Sequence, residues 1–398
     1  MKKKIIFILP IILILLIIYW IIGTKIIANE NIKVIKDKIP NFYKRKKKIK
    51  NTLFFKKNDA LKKVIIKTDG LKTFELSEDN KIYIFTHQDK KMDLKIEGVL
   101  EDRKINCLNK TFVKDEIIDI NLFSLNCKNA VYYIGKIEDS FKDNFYFTFG
   151  LKQKINKSKN LLVLPTTAFY NYSSNIFGIN VYSTKNNEYI TQLSEIPLNN
   201  TINWNYKIAN SIHNLKNVFN EFDIVNDYNF ENMSLENYNL IILPLHQEYI
   251  SKPFFNKLLN FIELKENNIL SIGASNFSRE VFFKKNLIIY KNNKFWKNQN
   301  SYGLSFFYDT NNYNFTLGCK FLNDKKINLG YVSQPTFVRK ADYFFYEIVC
   351  KNNKKIPLLS TQTFSEGGGK LIQIFSDGIG LNFHKIEHLK LEILNQIN

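Results

Sequence analysis

Arginine is almost absent from this chain. Only Arg45, Arg103, Arg279 and Arg339 occur, although the formal net charge is +20, so lysine carries the positive charge. Base edges and phosphate oxygens are read best by the planar guanidinium fork. A lysine excess spread along a chain also rich in asparagine and isoleucine reads as compositional bias, and nucleic acid is not an expected partner. Cysteine is scarce too: there are four, with no CxxC and no Cys/His metal spacing, which removes zinc ribbons and thioredoxin-type redox motifs. Cys107 and Cys127 fall in one expected domain and Cys319 and Cys350 in another. Pairing within each is open and would suit an oxidising compartment. The run "EGGGK" lacks the Ser or Thr of a phosphate-binding loop and opens the strand "LIQIF", so it reads as a tight turn.

What is present is apolar and aromatic. With 398 residues, 45% hydrophobic and 15% aromatic, the chain can bury a real core, and its length suggests about two domains. Three lysines at the start precede an uncharged run from Ile5 to Ile22, long enough to cross a hydrocarbon core of roughly 30 Å. The run is longer than a signal-peptide core and lacks a good small-x-small cleavage site, so a retained single-pass anchor over 1–24 is expected. The block "KRKKK" at Lys44 to Lys48 would, taken literally, hold the large domain in the cytoplasm. The short basic tail, however, resembles a signal n-region and lysine is frequent throughout, so the expectation is a domain outside the cytoplasm. Residues 25–60 read as a lysine-rich stalk touching anionic headgroups.

Over 61–155 short runs such as "KIYIFTH", "MDLKIEGVL" and "NFYFTFGLK" alternate apolar and polar residues, which predicts a small β-sandwich. From 159 the pattern changes. "NLLVLP", "NLIILP" and "NILSIG" are continuous apolar strands of the kind buried on both faces of a parallel sheet. Helical periodicity lies between them, in "IANSIHNLKNVFNEF" and "KPFFNKLLNFIELKENN". Strands alternating with helices predict a doubly wound α/β domain over 159–398, with an aromatic, β-like insertion between Phe282 and Tyr346.

Ligands of open α/β sheets bind outside the carboxyl ends of the strands. Both "LVLPTTAFYNYSSN" and "IILPLHQEYIS" put polar and aromatic residues at such an end, and His246, Glu248 and Tyr249 stand at the second corner. Ser251 is placed to cap the helix that follows, ahead of Pro253, so Glu248 is not needed as its cap.

The order and spacing of "LPTTAFYNYSSN", "INVYS" and "LHQEYIS", with "SIGASNFSREV" and "GGGKLIQIFSDGIG" after them and "NAVYYIGKI" before, resemble the large (beta) subunit of N,N-dimethylformamidase and its relatives over residues 125–398. That resemblance implies a class I glutamine amidotransferase-like fold and hydrolysis of a small amide. It also implies one ferric iron held by two tyrosines and a glutamate, carried by position onto Tyr132, Tyr172 and Glu248. Hard anionic oxygen donors suit that ion, whose bound water would attack the amide carbonyl. His246 would act from beside the site. Tyr133 follows Tyr132 directly and points to the opposite face of the strand. The chain departs from the family at Ile250, where tryptophan is usual, and at Tyr172-Ser173, where the family has Tyr-Asn and either Asn171 or Asn175 supplies the asparagine. Where an amidotransferase carries its cysteine this chain has His246-Gln247-Glu248, so a thiol mechanism is disfavoured.

The expected partners are a small-molecule substrate and the membrane, with self-association or a small partner subunit left open. Two other readings stand beside the hydrolase. One is a surface binding or assembly protein that keeps the fold without catalysis. The other is a zinc site at "HKIEH", His384 to His388, which would need a third ligand from a separate element although only ten residues follow; a solvated helix face is the simpler reading.

Overall fold

Met92, Leu94 and Ile96 are buried while Asp93 and Lys95 face solvent, so the period-two alternation of "MDLKIEGV" forms a half-buried strand. A computed structural model describes residues 64–86, 91–113, 117–121, 129–138, 144–152, 158–171, 188–193, 203–245, 247–264, 266–273, 279–295, 359–363, 369–374 and 387–397, with short pieces between them at 125, 127, 155, 196, 198–199, 320–321, 343–345, 348–349 and 355–356. The expected anchor, the stalk, Tyr172, His246, Cys319, Cys350 and His384 lie outside the described residues. Among those described, no helix is long and apolar enough to cross a membrane. Lys63–Asn398 form one compact unit.

Two antiparallel sheets occupy the stretch expected to be β-rich. In the first, β1 (Val64–Thr68), β2 (Lys81–Thr86) and β5 (Ile117–Asn121) run in that order. In the second, β3 (Met92–Val99), β4 (Lys104–Phe112), β6 (Tyr132–Glu138), β7 (Asn144–Phe149) and the later β10 (Leu198–Asn199) take the order β10-β7-β6-β3-β4. Cys107 on β4 and Cys127 are joined by a disulfide, their Cα atoms 5.5 Å apart. Gly98 on β3 makes room for it, since a Cβ there would come within 3.0 Å of both sulfurs. Gly135 is required for a different reason: the ring of Phe147, its cross-strand partner, lies over it, and a Cβ would sit 2.0 Å from Cζ.

The main sheet has seven strands. β8 (Asn160–Leu164), β11 (Asp223–Asn226), β12 (Leu240–Leu243), β14 (Asn268–Ile272) and β22 (Lys370–Ile374) are parallel, and β21 (Leu359–Thr363) and β18 (Tyr343–Phe345) extend one edge antiparallel. The order is β11-β8-β12-β14-β22-β21-β18. Alternate residues divide between two cores. Leu161, Val163, Ile241, Leu243, Ile269 and Leu371 pack with helix α4 (Lys252–Ile262). Leu162, Leu164, Ile242, Leu270, Ile372 and Ile374 pack on the other face with α2 (Asn203–Lys216), α5 (Glu387–Ile397) and side chains of β3, β6 and β7. Both faces are therefore covered, which is why these strands read as unbroken apolar runs. Helix α4 starts as its sequence predicts: Ser251 is the N-cap and its hydroxyl accepts the Phe254 amide at 3.1 Å, with Pro253 in the first turn.

Two short helices complete the region, α1 (Thr166–Asn171) directly after β8 and α3 (Asp227–Phe230) directly after β11. A four-stranded sheet, β13 (Tyr249–Ile250), β15 (Arg279–Lys284), β16 (Leu287–Phe295) and β9 (Glu188–Gln192), stands over the corner after β12. A small antiparallel sheet of β17 (Lys320–Phe321), β19 (Ile348–Val349) and β20 (Lys355–Ile356) lies in the expected insertion and beyond it.

Candidate active site

Strand order reverses between β8 and β12. From β8 the chain steps outward to β11, then crosses back to β12 on the other side of β8. The carboxyl ends of these two strands flank the crevice where open α/β sheets place their ligands. Three polypeptide corners meet there: Pro165-Thr166-Thr167 after β8, Asp227 after β11 and Gln247-Glu248 after β12.

Asp227 ties them together. Its carboxylate accepts from the hydroxyl of Thr166, from the backbone amide of Thr167 at 2.9 Å and from the side-chain amide of Gln247 at 3.4 Å. The residue is only 2% exposed. Burial pushes its carboxyl up to about 6, against the Thr166 hydroxyl and the Thr167 amide, which favour the ionised form. A carboxyl so placed changes protonation near neutral pH, as groups at functional sites often do.

The corner after β12 is not the open strand-to-helix turn its sequence predicts. Gln247, Glu248, Tyr249, Ile250 and Ser251 are all buried, and Tyr249 and Ile250 form β13, pairing in parallel with Arg279 and Glu280 of β15. Tyr249 packs edge-on against Tyr290, ring centroids 5.6 Å apart, and the Tyr290 hydroxyl donates to the Thr167 carbonyl at 3.0 Å. The sheet over the corner thus holds α1 as well. The segment "TTAFYN", whose polar and aromatic residues are expected at the strand's carboxyl end, is helical and wholly buried. Thr and aromatic residues are indifferent helix formers, and burial on every side decides the conformation.

On α1, the Tyr170 hydroxyl donates to the Leu193 carbonyl at 2.8 Å and also bonds the Thr73 hydroxyl. Asn171 ends the helix fully buried, and neither atom of its carboxamide has a hydrogen-bond partner. An unsatisfied buried amide of this kind costs about 1–3 kcal/mol.

Of the expected iron ligands, Glu248 stands at the β12 corner, 5% exposed, and Tyr172 lies outside the described residues. Tyr132 faces the α/β region: its ring packs on Phe169 at 5.2 Å and its hydroxyl donates to the Asn205 carbonyl at 2.5 Å. Burial, and then the neighbouring Tyr206, hold that phenol well above its ordinary range. A phenolate would face the lone pairs of the same carbonyl, so Tyr132 as placed does not fit an iron ligand. Tyr133 points the other way, stacked on Phe149 and donating to the Cys127 carbonyl at 2.7 Å. Among the described residues no three His, Cys, Asp or Glu side chains are grouped to hold a metal ion.

Asp227, Thr166, Thr167 and Gln247 were not singled out by sequence reasoning. One signal existed: Asp227 directly follows the strand "DIVN", at the same edge of the sheet as the other two corners.

No family model matches the chain, and no curated protein does. Among solved structures it is similar to a beta-galactosidase from Bacillus circulans sp. alkalophilus, with 10% identity and a TM-score of 0.34 over 62% of this chain and 32% of that one. It is similar at the same identity to a beta-galactosidase from Rahnella sp. R3, with a TM-score of 0.32 over 60% and 32%. An exo-beta-1,4-mannosidase, Op5Man5 from Opitutaceae bacterium strain TAV5, gives 10% and 0.24 over 47% and 30%. The chain spans about a third of the length of these proteins, and scores this low carry no argument about its activity.

Proposed function

We propose that the chain is a membrane-anchored, amidase-like hydrolase with an amidotransferase-like α/β domain, acting on a C–N bond of a small molecule at the β8–β12 corner. The observation that carries this reading is the hydrogen bond from the Gln247 side chain to Asp227, which joins the corners after β12 and β11 beside the reversal in strand order, with Glu248 next to Gln247 in the chain and buried. In the reaction, the Glu248 carboxylate takes a proton from water as the water oxygen attacks the amide carbonyl. The proton then passes to the nitrogen as the C–N bond breaks, leaving a carboxylate and an amine or ammonia. Asp227 does not enter these steps; through Thr166, Thr167 and Gln247 it holds the corners on either side. The Cys107–Cys127 disulfide supports a domain outside the cytoplasm, where such bonds persist.

A second reading, a surface binding or assembly protein without catalysis, is favoured by the Tyr132 hydroxyl, which is bonded to a backbone carbonyl and not available to a metal. Carboxylate release from a panel of small amides separates the two. The hydrolase reading expects turnover that Glu248→Gln removes; a folded wild-type protein that hydrolyses none of them leaves the binding reading.

A further inference from the structure

We propose that the corner after β12 is a gate and that the charge on Asp227 opens it. The inference rests on the reading of that corner as the active site and adds how access to it is regulated. Glu248 is 5% exposed and Gln247 1%, so the corner is closed, and a substrate reaches Glu248 only when Gln247 to Ile250 part from α1. The attachments of this segment are the weaker ones at the junction. Its bond to Asp227, from the Gln247 side chain, is 3.4 Å long, against 2.9 Å for the bond from the Thr167 amide. Strand β13 holds to β15 through two residues, Tyr249 and Ile250. Long bonds and minimal strands lie at the low end of local stability, from which moving elements are drawn. Ser251, the N-cap of α4, also bonds Glu231 and fixes the far end of the segment.

Asp227 supplies the bias. It is 2% exposed, and among the described residues the side chains and amides that bond it are all neutral: the Thr166 hydroxyl, the Thr167 amide and the Gln247 carboxamide. A carboxyl kept from water with no cation beside it favours its protonated form. The titratable groups on the elements around it leave that sign unchanged. Tyr228, next to it on α3, is held well above its ordinary range by burial and stays neutral. Tyr170 on α1 bonds Thr73 and the Leu193 carbonyl. Asp223, at the other end of β11, takes the Tyr238 hydroxyl. On α4, Lys257 donates to the carbonyls of Glu231 and Met233. Glu248 follows Gln247, and its negative charge favours a neutral Asp227 further. Protonated, Asp227 keeps the junction whole, because the Thr166 hydroxyl can accept from the acid while the second oxygen still accepts from Thr167 and Gln247. When the corner parts, water reaches Asp227 and its carboxyl falls from about 6 toward its ordinary 3.8. The open form releases a proton that the closed form keeps, so opening is favoured as pH rises through about 6. Between pH 4.5 and pH 7 these two values make the opening equilibrium about 25-fold larger at the higher pH.

The test is amide hydrogen exchange of the full-length protein at pH 4.5 and pH 7, corrected for intrinsic rates, for wild type and Asp227→Asn. It is read at Glu248, Tyr249 and Ile250 and, for comparison, at Ile134 and Lys136 in the interior strand β6. The corner amides are expected to be less protected than those of β6 at both pH values, and to lose about 25-fold in protection from pH 4.5 to pH 7 in wild type. In Asp227→Asn their protection is expected to be the same at both. Corner amides that exchange together with β6, wild-type protection that does not fall with pH, or a fall that persists in Asp227→Asn overturns the inference. Asp227→Leu, which likewise carries no charge, replaces the asparagine variant if that one does not fold. Amide hydrolysis lost in Glu248→Gln while corner exchange is independent of pH would keep the hydrolase and overturn the gate. Opening that follows Asp227 without any hydrolysis would keep the gate and remove the hydrolase.

Discussion

Replacing Asp227 by asparagine changes how stability depends on pH. In the folded protein burial raises the Asp227 carboxyl from 3.8 to about 6. Between these two values the folded state binds more protons at this position than the unfolded chain does. Stability from this group is therefore gained as pH falls through about 6 and is complete below the unfolded value. At about 1.4 kcal/mol per pH unit the whole difference is about 3 kcal/mol, of which about 2 kcal/mol develops between pH 7 and pH 4.5. The residue is buried, so solvent screening takes little from this figure. Other carboxyls titrate in the opposite sense: Glu97 is held below its ordinary value, with hydrogen bonds from Lys95 and Tyr206 outweighing its burial, and loses stability as it is protonated. The quantity to measure is thus the difference between wild type and Asp227→Asn, by urea unfolding at pH 7 and pH 4.5. Asparagine keeps an acceptor for the Thr167 amide and adds no charge, so wild type is expected to gain about 2 kcal/mol relative to the variant on acidification. Parallel pH profiles for the two proteins would refute the reasoning.

Two further outcomes follow from the β-rich half. Reduction of the Cys107–Cys127 bond, or Cys107→Ser with Cys127→Ser, opens a link across a sequence separation of 20 and is expected to cost about 3 kcal/mol in urea unfolding; an unchanged midpoint would mean the bond does not constrain the chain. Gly135→Ala places a methyl group on the ring of Phe147 and is expected to destabilise by about 1–3 kcal/mol, with Phe147→Ala restoring part of the loss when the two are combined.

The parts of the fold that sequence reveals are those set by local pattern. The strands "NLLVL", "LIIL" and "NILSI" are visible because a strand covered on both faces needs no polar position, and α4 is visible because Ser251 and Pro253 mark its start. What stays hidden depends on distant partners. The helix "TTAFYN" has no helical signature and forms because β8, α3 and the sheet over the corner enclose it. The Tyr249-Ile250 strand exists because it pairs with β15, some thirty residues later. The position of Glu248 after β12 is legible from the end of the strand "LIIL", whereas Asp227 meets Thr166, Thr167 and Gln247 only when β8, β11 and β12 come together. That Tyr132 and Tyr133 face opposite ways is legible in "YY", but which of them meets the α/β region, and the bond of Tyr132 to Asn205, 73 residues away, are not.

The most direct test of catalysis at the β8–β12 corner is ammonia release from a panel of primary amides by wild type beside Glu248→Gln. Turnover by wild type that falls by about a hundred-fold or more in the variant is expected, the loss typical of removing a general base. Equal release by both proteins, or none from a folded wild type, would contradict it.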